Sequence, residues 1–141
     1  MNGSRSLTDR RRSSDAQHPQ ARRPRPPIAL VFKIVTTEDW RAAEAAGAFI
    51  GAAVDRADGY IHFSTAEQAP ETAAKWFDGR DDLTLVAVDA EALGAGLRWE
   101  PSRGGALFPH LYAPLSMSAV VWTRPLPLGP DGRHVFGTLS A

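Results

Sequence analysis

The chain has 141 residues, no cysteine, and 16 basic against 16 acidic side chains. This length suits a single domain, and the lack of cysteine excludes disulfides, Cys-ligated zinc and a thiol nucleophile. No apolar run approaches the roughly 20 residues of a membrane-spanning helix, so we expect a cytoplasmic protein with no membrane partner.

The neutral total hides an uneven distribution of charge. Residues 1–27 carry seven Arg against two Asp, whereas residues 28–141 carry nine Lys or Arg against fourteen Asp or Glu. The first segment is rich in Arg, Pro and Ser and nearly lacks large apolar residues, which predicts a disordered tail. A nucleic acid would be bound only through this basic tail or as a substrate. Three interpretations of the tail remain open. It has no dedicated role, it results from a wrongly chosen upstream start codon, or it is a basic arm for an acidic partner.

The domain over residues 28–141 is predicted to begin with a strand and a short helix. Residues 28–35 are apolar and β-branched, which indicates a buried strand. Thr36 supplies an N-cap and Gly47 a C-cap for the helix between them. Residues 48–59 are predicted to be mostly loop.

A second strand and a second helix are predicted next. Residues 60–64 form an extended apolar segment with two polar interruptions. Ser64 or Thr65 then caps a helix, and Glu67 and Gln68 are placed for a capping box.

The remaining chain is predicted to be rich in strands. The second helix is expected to end at Phe77 and to pack through Ala73, Ala74, Trp76 and Phe77. The whole is a single α+β domain with two short helices near its N-terminal end. Further strands are predicted at residues 82–89, 97–100, 108–112 and 119–123, with a helical turn at 91–93 and a last strand at 134–136.

The segment around residue 62 combines apolar and reactive side chains. Alternation along a strand places Tyr60, His62 and Ser64 on one face and the apolar residues between them on the other. The backbone N–H groups behind Thr65 form a helix N-terminus, which suits an anion. The plainer interpretation is a half-buried histidine beside a capping serine.

Residues 97–112 form a second segment of this kind. Arg98 and Glu100 share a strand face, as do His110 and Tyr112. An Arg fork can hold a phosphate, and an aromatic ring can stack on a flat ligand. The plainer interpretation is a Gly-rich connection with a surface Arg–Glu pair.

Two other site classes are weaker. His62, His110 and Glu100 could supply three metal ligands, but no short His-x-x-x-His clip joins them, so no metal is expected. A triad of Ser64, His110 and Asp89 lacks a nucleophile-elbow signature.

The two segments together resemble a bacterial family, the domain-of-unknown-function family numbered 952. They read DGYIHFSTAEQ from residue 58 and LRWEPSRGGALFPHLY from residue 97, and the VFKI, TAAKWF and LTLVAVDAEAL stretches match the family's order. The resemblance covers about residues 30–124. The family's fold resembles that of ADP-ribosyltransferases, in which two small sheets form a split β core around a nicotinamide cleft.

The resemblance implies roles for the two histidines. Residues 62–65 are similar to the His-Gly-Ser/Thr motif that grips the nicotinamide ribose and amide, with Phe63 in place of glycine. His110 resembles the second motif residue of the branch similar to RNA 2′-phosphotransferases. No Glu follows His110 at the third motif position, and Glu100 precedes it instead.

The implied function is an ADP-ribosyltransferase-like enzyme that binds NAD or ADP-ribose. It would act at the nicotinamide–ribose bond, with NAD as substrate, or on a 2′-phosphate. The alternative is a catalytically inactive module that binds a nucleotide or phosphate. The expected catalytic residues are His62, His110 and Glu100, and the expected cofactor-binding residues are Ser64, Thr65, Arg98, Arg103 and Tyr112.

Overall fold

The computed structural model describes residues 28–141, so the predicted disordered tail over residues 1–27 lies outside the described residues. Within them, eight strands and four short α-helices form a mixed α+β domain, which confirms the predicted class. In chain order the elements are β1 (Leu30–Thr36), α1 (Thr37–Ala46), β2 (Ala48–Phe49), α2 (Ala53–Asp58), β3 (Ile61–His62), α3 (Ala69–Trp76), β4 (Leu83–Asp89), α4 (Ala90–Leu93), β5 (Leu97–Pro101), β6 (Leu107–Leu111), β7 (Leu115–Ser116) and β8 (Val120–Pro125).

The longest strands form an antiparallel sheet in the order β1-β4-β8, which we call the apolar sheet. Val31 and Val35 of β1 belong to one core cluster, and Phe32 and Ile34 belong to another. Because successive strand residues point to opposite faces, both faces of this sheet are covered. A strand buried on both faces reads as a continuous apolar run, which is the pattern of β1 and β4 in the sequence.

Three shorter strands form a second antiparallel sheet in the order β3-β6-β5, which we call the site sheet. Ile61 and Leu111 of this sheet enter the core cluster that Val31 and Val35 also join. The alternating residues on the other face are therefore left for polar side chains. β2 and β7 pair as a separate two-stranded sheet.

Local capping signals form the helix ends that the sequence predicts. The Thr36 hydroxyl accepts a hydrogen bond from the Asp39 N–H at 3.1 Å, and Gly47 ends α1 in the left-handed conformation at φ 90°. Before α3, the Thr65 hydroxyl accepts from the Gln68 N–H at 3.1 Å, while the Gln68 carboxamide accepts from the Thr65 N–H at 3.0 Å. The reciprocal hydrogen bonds of the predicted capping box therefore form between Thr65 and Gln68. They close the turn before α3, whose own N-cap Gln68 has no side-chain capping bond.

The prediction of mostly loop over residues 48–59 is wrong, because β2 and α2 lie there. Ala52 precedes α2 and has no side-chain hydrogen bond to offer as an N-cap. The Asp55 carboxylate instead accepts the Ala52 N–H at 2.8 Å. The usual N-cap residue types are thus missing from the sequence at this helix start.

The last strand expected at residues 134–136 is also wrong. Among the described residues, this segment makes a single bridge between Leu128 and His134. Phe136 packs against the core cluster of Phe32 instead of extending a sheet.

The finer fold prediction differs from the structure in its counts. Two sheets, two helices and a helical turn at residues 91–93 were expected, whereas residues 28–141 form three sheets and four short helices. The predicted turn is α4, and α2 is the helix that was not predicted. The likeness to the ADP-ribosyltransferase fold stays a prediction. None of the helices in residues 28–141 combines the length and the apolar character that crossing a membrane requires.

Candidate functional site

His62 and His110 lie directly opposite each other on β3 and β6. Opposite residues of an antiparallel pair share a face of the sheet, and the two imidazole ring centroids are 5.6 Å apart. Tyr60 stacks on His110 at 4.1 Å and lies 4.7 Å from His62, and Tyr112 lies 5.2 Å from Tyr60. We call Tyr60, His62, His110 and Tyr112 the ring cluster.

His62 lies between two carboxylates of α2. Its Nδ1 is 2.6 Å from Asp55 Oδ1 and its Nε2 is 2.9 Å from Asp58 Oδ2. A carboxylate only accepts, and a neutral imidazole has a single N–H, so a neutral His62 can donate to only one of the two carboxylates. Asp55 is buried, with 1% of its side chain exposed, whereas Asp58 is 46% exposed. The Nδ1 contact is therefore internal, and the Nε2 contact is open to solvent.

Asp55 also binds Lys33, which comes from the middle of β1. Lys33 Nζ lies 2.9 Å from each Asp55 oxygen, and the Lys33 side chain is 6% exposed. Burial would raise the pKa of Asp55, but the hydrogen bond from His62 and the charge of Lys33 hold that pKa well below its usual value. Burial lowers the pKa of Lys33, and the Asp55 carboxylate opposes this shift. The two groups thus form a buried ion pair behind His62.

His110 is held by a carboxylate from the neighbouring strand. Its Nδ1 lies 2.8 Å from Glu100 Oε1, and the Tyr112 hydroxyl donates to the same oxygen at 2.7 Å. These hydrogen bonds, from His110 first and then Tyr112, lower the pKa of Glu100. The bond to Glu100 in turn raises the pKa of Tyr112. The His110 side chain is 4% exposed and that of Glu100 is 32% exposed.

The outer edge of the ring cluster carries more negative than positive charge. Burial raises the pKa of Tyr60, and the charges of Asp58 and Glu100 raise it further. The Arg98 guanidinium lies 4.8 Å from the Tyr112 ring centroid, in a cation–π contact. This arrangement offers two partly exposed carboxylates and one guanidinium to a ligand.

The structure thus brings together five of the residues that the sequence singled out. They come from three strands of the site sheet and the residue that follows β6. They are His62, Arg98, Glu100, His110 and Tyr112.

Ser64 and Thr65 have other hydrogen-bond partners. Ser64 is 5% exposed, and its hydroxyl lies 2.9 Å from the Thr72 hydroxyl on α3. Strand alternation predicted that the Ser64 side chain faces the histidines. It is instead hydrogen-bonded to Thr72 of α3. The regular β3 pairing ends at His62, and Ser64 instead pairs with Phe32 of β1.

The predicted anion site behind Thr65 is also altered. The N–H groups of Thr65 and Gln68 donate to each other's side chains, so the capping box uses them. The side chain of Arg103, predicted to bind a cofactor, lies outside the described part of the structure.

Sequence reasoning missed three residues around His62: the buried pair Lys33 and Asp55 behind the ring, and the exposed Asp58 on its other side. One signal was available, since Lys33 is the charged residue of an otherwise apolar run over residues 28–35. A lysine in a buried strand calls for an acidic partner. Nothing local identifies Asp55 as that partner, because 22 residues separate the two.

Among residues 28–141, no group of three or more His, Cys, Asp or Glu side chains converges as a metal ion requires. His62 and His110 each direct Nδ1 at a different carboxylate. The arrangement suits proton transfer and hydrogen bonding.

The comparisons with known proteins identify similar chains. A family model described as "Protein of unknown function (DUF952)" matches residues 34–123. The crystal structure of protein CC0527 from Caulobacter crescentus is 56% identical, with a TM-score of 0.73, over 77% of this chain and 95% of that chain. A solution NMR structure of CC0527 is 57% identical, with a TM-score of 0.68, over 74% of this chain and 90% of that chain. No curated protein matches.

Proposed function

The chain belongs to the DUF952 family, and we propose that its ring cluster binds NAD and acts at the nicotinamide–ribose bond, as an ADP-ribosyltransferase-like enzyme would. The observation that carries this proposal is the pair of imidazole rings 5.6 Å apart, each with Nδ1 on a carboxylate. A carboxylate on Nδ1 fixes the tautomer of such a ring and assigns Nε2 to the ligand. At His62 the exposed Asp58 carboxylate faces Nε2 until a ligand displaces it.

Two histidines of this kind can serve as hydrogen-bonding and acid–base groups. In the proposed reaction the bond between ribose C1′ and the nicotinamide nitrogen breaks, and its electron pair leaves with nicotinamide. An acceptor hydroxyl or water forms the new bond to C1′ and gives its proton to an imidazole Nε2. His62 and His110 would also hold the ribose hydroxyls, which orients the reacting carbon.

The charges beside the ring cluster favour the nicotinamide–ribose bond over a 2′-phosphate. The nicotinamide ring of NAD is cationic, and positive charge develops on the ribose as the bond breaks. The carboxylates of Asp58 and Glu100 stabilise such charge, whereas they repel a phosphate dianion. Tyr112 is 41% exposed, so its ring can also stack on a flat ligand. Action on a 2′-phosphate would depend on Arg98 to offset both carboxylates.

A catalytically inactive nucleotide-binding module is the second candidate, and one observation favours it. In the stretch that resembles the His-Gly-Ser/Thr motif, His62 lies in the ring cluster. The Ser64 hydroxyl is hydrogen-bonded to Thr72 of α3, and the Thr65 hydroxyl accepts from the Gln68 N–H before α3. A chain that keeps the ribose-binding histidine without the remaining motif contacts would bind ADP-ribose and cleave nothing.

Calorimetric titration of NAD and, separately, ADP-ribose into the full chain tests the proposal. We expect saturable binding of NAD that His62→Ala abolishes, with release of nicotinamide detected by chromatography. His134→Ala is the matched control, because His134 is a half-buried histidine outside the ring cluster, bonded to the Arg80 carbonyl. Binding of ADP-ribose without nicotinamide release would support the binding module. Absence of binding to both compounds would contradict both candidates.

A further inference from the structure

We propose that Asp55 is a positioning residue for His62 and that Lys33 holds Asp55 in place, so that His62 presents Nε2 to the ligand as the Nδ1–H tautomer. This inference rests on the proposed function, because it assigns a support to one of the two histidines that the function uses. The geometry behind it is a continuous chain of contacts from Lys33 Nζ through the Asp55 carboxylate to His62 Nδ1.

Donors surround both oxygens of Asp55. Oδ1 accepts from Lys33 Nζ at 2.9 Å, from His62 Nδ1 at 2.6 Å and from the His62 backbone N–H at 3.1 Å. Oδ2 accepts from the Ala52 N–H at 2.8 Å and faces Lys33 Nζ at 2.9 Å. These contacts leave the carboxylate plane little freedom to rotate. They also require the acceptor form of Asp55, so Nδ1 of His62 must carry the proton.

The backbone of the loop before α2 passes close to Asp55 at Gly51. A Cβ built on Gly51 would lie 2.9 Å from the Asp55 Cβ, and Gly51 has a φ of +112°. A residue with a side chain would therefore push the start of α2 away from its place over His62. The glycine allows the loop before α2 to approach the carboxylate.

Burial of the Lys33 ammonium lowers the net stability that Lys33 can add to the fold, which argues for another role. A buried ion pair often stabilises a protein no more than apolar residues of similar volume would. Lys33 shares its face of β1 with Val31 and Val35, which join an apolar core. An apolar residue at this position would suit packing, whereas a lysine supplies the cation that keeps Asp55 charged beneath His62.

Asp58 provides an internal comparison because it contacts the same ring from the other side. Its carboxylate lies 2.9 Å from His62 Nε2 and is 46% exposed. A ligand that binds Nε2 would displace Asp58 into water at little cost. Asp55 cannot be displaced in this way, because it is buried and bound on both oxygens.

The test measures the His62 tautomer directly, by long-range ¹H–¹⁵N correlation NMR on the full chain at a pH at which the ring is neutral. We expect the Nδ1–H tautomer in the wild-type chain. The variant Lys33→Met combined with Asp55→Leu replaces the ion pair with apolar groups, so the fold should persist, and His62 should change to the Nε2–H form that imidazole prefers in water. The matched control Asp58→Asn should keep Nδ1–H.

Affinity for ADP-ribose gives the second readout. The double variant should bind ADP-ribose about tenfold more weakly than wild type, the effect of losing about one hydrogen bond to the ligand. Retention of the Nδ1–H tautomer in the folded double variant, or an unchanged affinity, would overturn the positioning role. If the double variant does not fold, Asp55→Asn should lower the Nδ1–H population, and an unchanged population would overturn it. A wild-type chain that binds neither NAD nor ADP-ribose contradicts the proposed function, and the tautomer alone then decides the positioning role.

Discussion

The two three-stranded sheets of this domain differ in what their strands contribute. In the apolar sheet, β4 is the central strand, and six consecutive residues from Leu83 to Val88 are buried. In the site sheet, β5 at the edge is largely exposed, and the central β6 carries His110 next to apolar residues. One sheet is built for burial, and the other keeps one face for polar and aromatic side chains.

A single contact path joins the chemistry of the two sheets. Lys33 belongs to the apolar sheet, yet its ammonium reaches the carboxylate that holds His62 of the site sheet. The site therefore depends on a strand whose other residues serve the core. A charged residue buried in the apolar sheet can thus belong to the contacts of the site sheet, here through Asp55.

The largest effect is expected when the Asp55 carboxylate is removed and Lys33 is kept. Asp55→Ala would leave the Lys33 ammonium buried without its carboxylate, which should lower the free energy of unfolding by about 3–5 kcal/mol. Urea unfolding at neutral pH measures it. Asp58→Ala is the control, since an exposed carboxylate should cost about 1 kcal/mol or less. Equal losses in the two variants would contradict the distinction between the buried and exposed partners of His62.

The next effect compares a buried leucine of the apolar sheet with an exposed leucine of the site sheet. Leu85 on β4 is fully buried, whereas Leu107 on β6 is 52% exposed. Leu85→Ala should lower the free energy of unfolding by about 2–5 kcal/mol, through lost burial and a cavity. Leu107→Ala should change it by about 0.5 kcal/mol or less, as exposed substitutions do. Comparable losses would show that the site sheet bears as much of the stability as the apolar sheet.

The apolar sheet was the part of the fold that the sequence predicted best. The runs over residues 28–35 and 82–89 are long, apolar and β-branched, and the structure confirms strands there with ends shifted by one or two residues. Burial on both faces produces a pattern that is visible without knowledge of the neighbours. The Thr65–Gln68 capping box was equally visible because all of its atoms come from four consecutive residues.

The candidate site was predicted only in part because its geometry depends on pairing between distant segments. The sequence indicated His62 and His110 separately, but their direct opposition follows from the β3–β6 register. Lys33 and Asp55 meet only after α2 packs over β1 and β3, and α2 has six residues and no side-chain cap. Short elements that tertiary contacts hold together leave little local signal.

The acid response of stability should reveal the contribution of the buried Asp55 carboxylate. The pKa of Asp55 is lowered in the folded chain, so Asp55 contributes stability above its unfolded pKa of about 3.9, and this contribution is lost as pH falls below that value. The lowered pKa values of Glu100 and Asp82 act in the same direction. The Lys33→Met, Asp55→Leu double variant should therefore lose less stability than wild type between neutral and acidic pH, measured by urea unfolding at each pH. Parallel pH profiles would show that Asp55 contributes nothing to the acid response.

The smallest effect is expected on the outer surface of α3. The sequence predicted that this helix packs through Ala73, Ala74, Trp76 and Phe77. Ala73 is buried and Phe77 packs against the core cluster of Phe32, whereas Ala74 is exposed and Trp76 is 64% exposed. Trp76→Ala should change the free energy of unfolding by about 0.5 kcal/mol or less. Trp40→Ala is the contrasting variant, because Trp40 is 3% exposed and its loss should cost about 3–5 kcal/mol. A large loss of unfolding free energy from Trp76→Ala would mean that its indole covers apolar surface in solution. The contribution of α3 to stability would then exceed what burial of Ala69 and Ala73 provides.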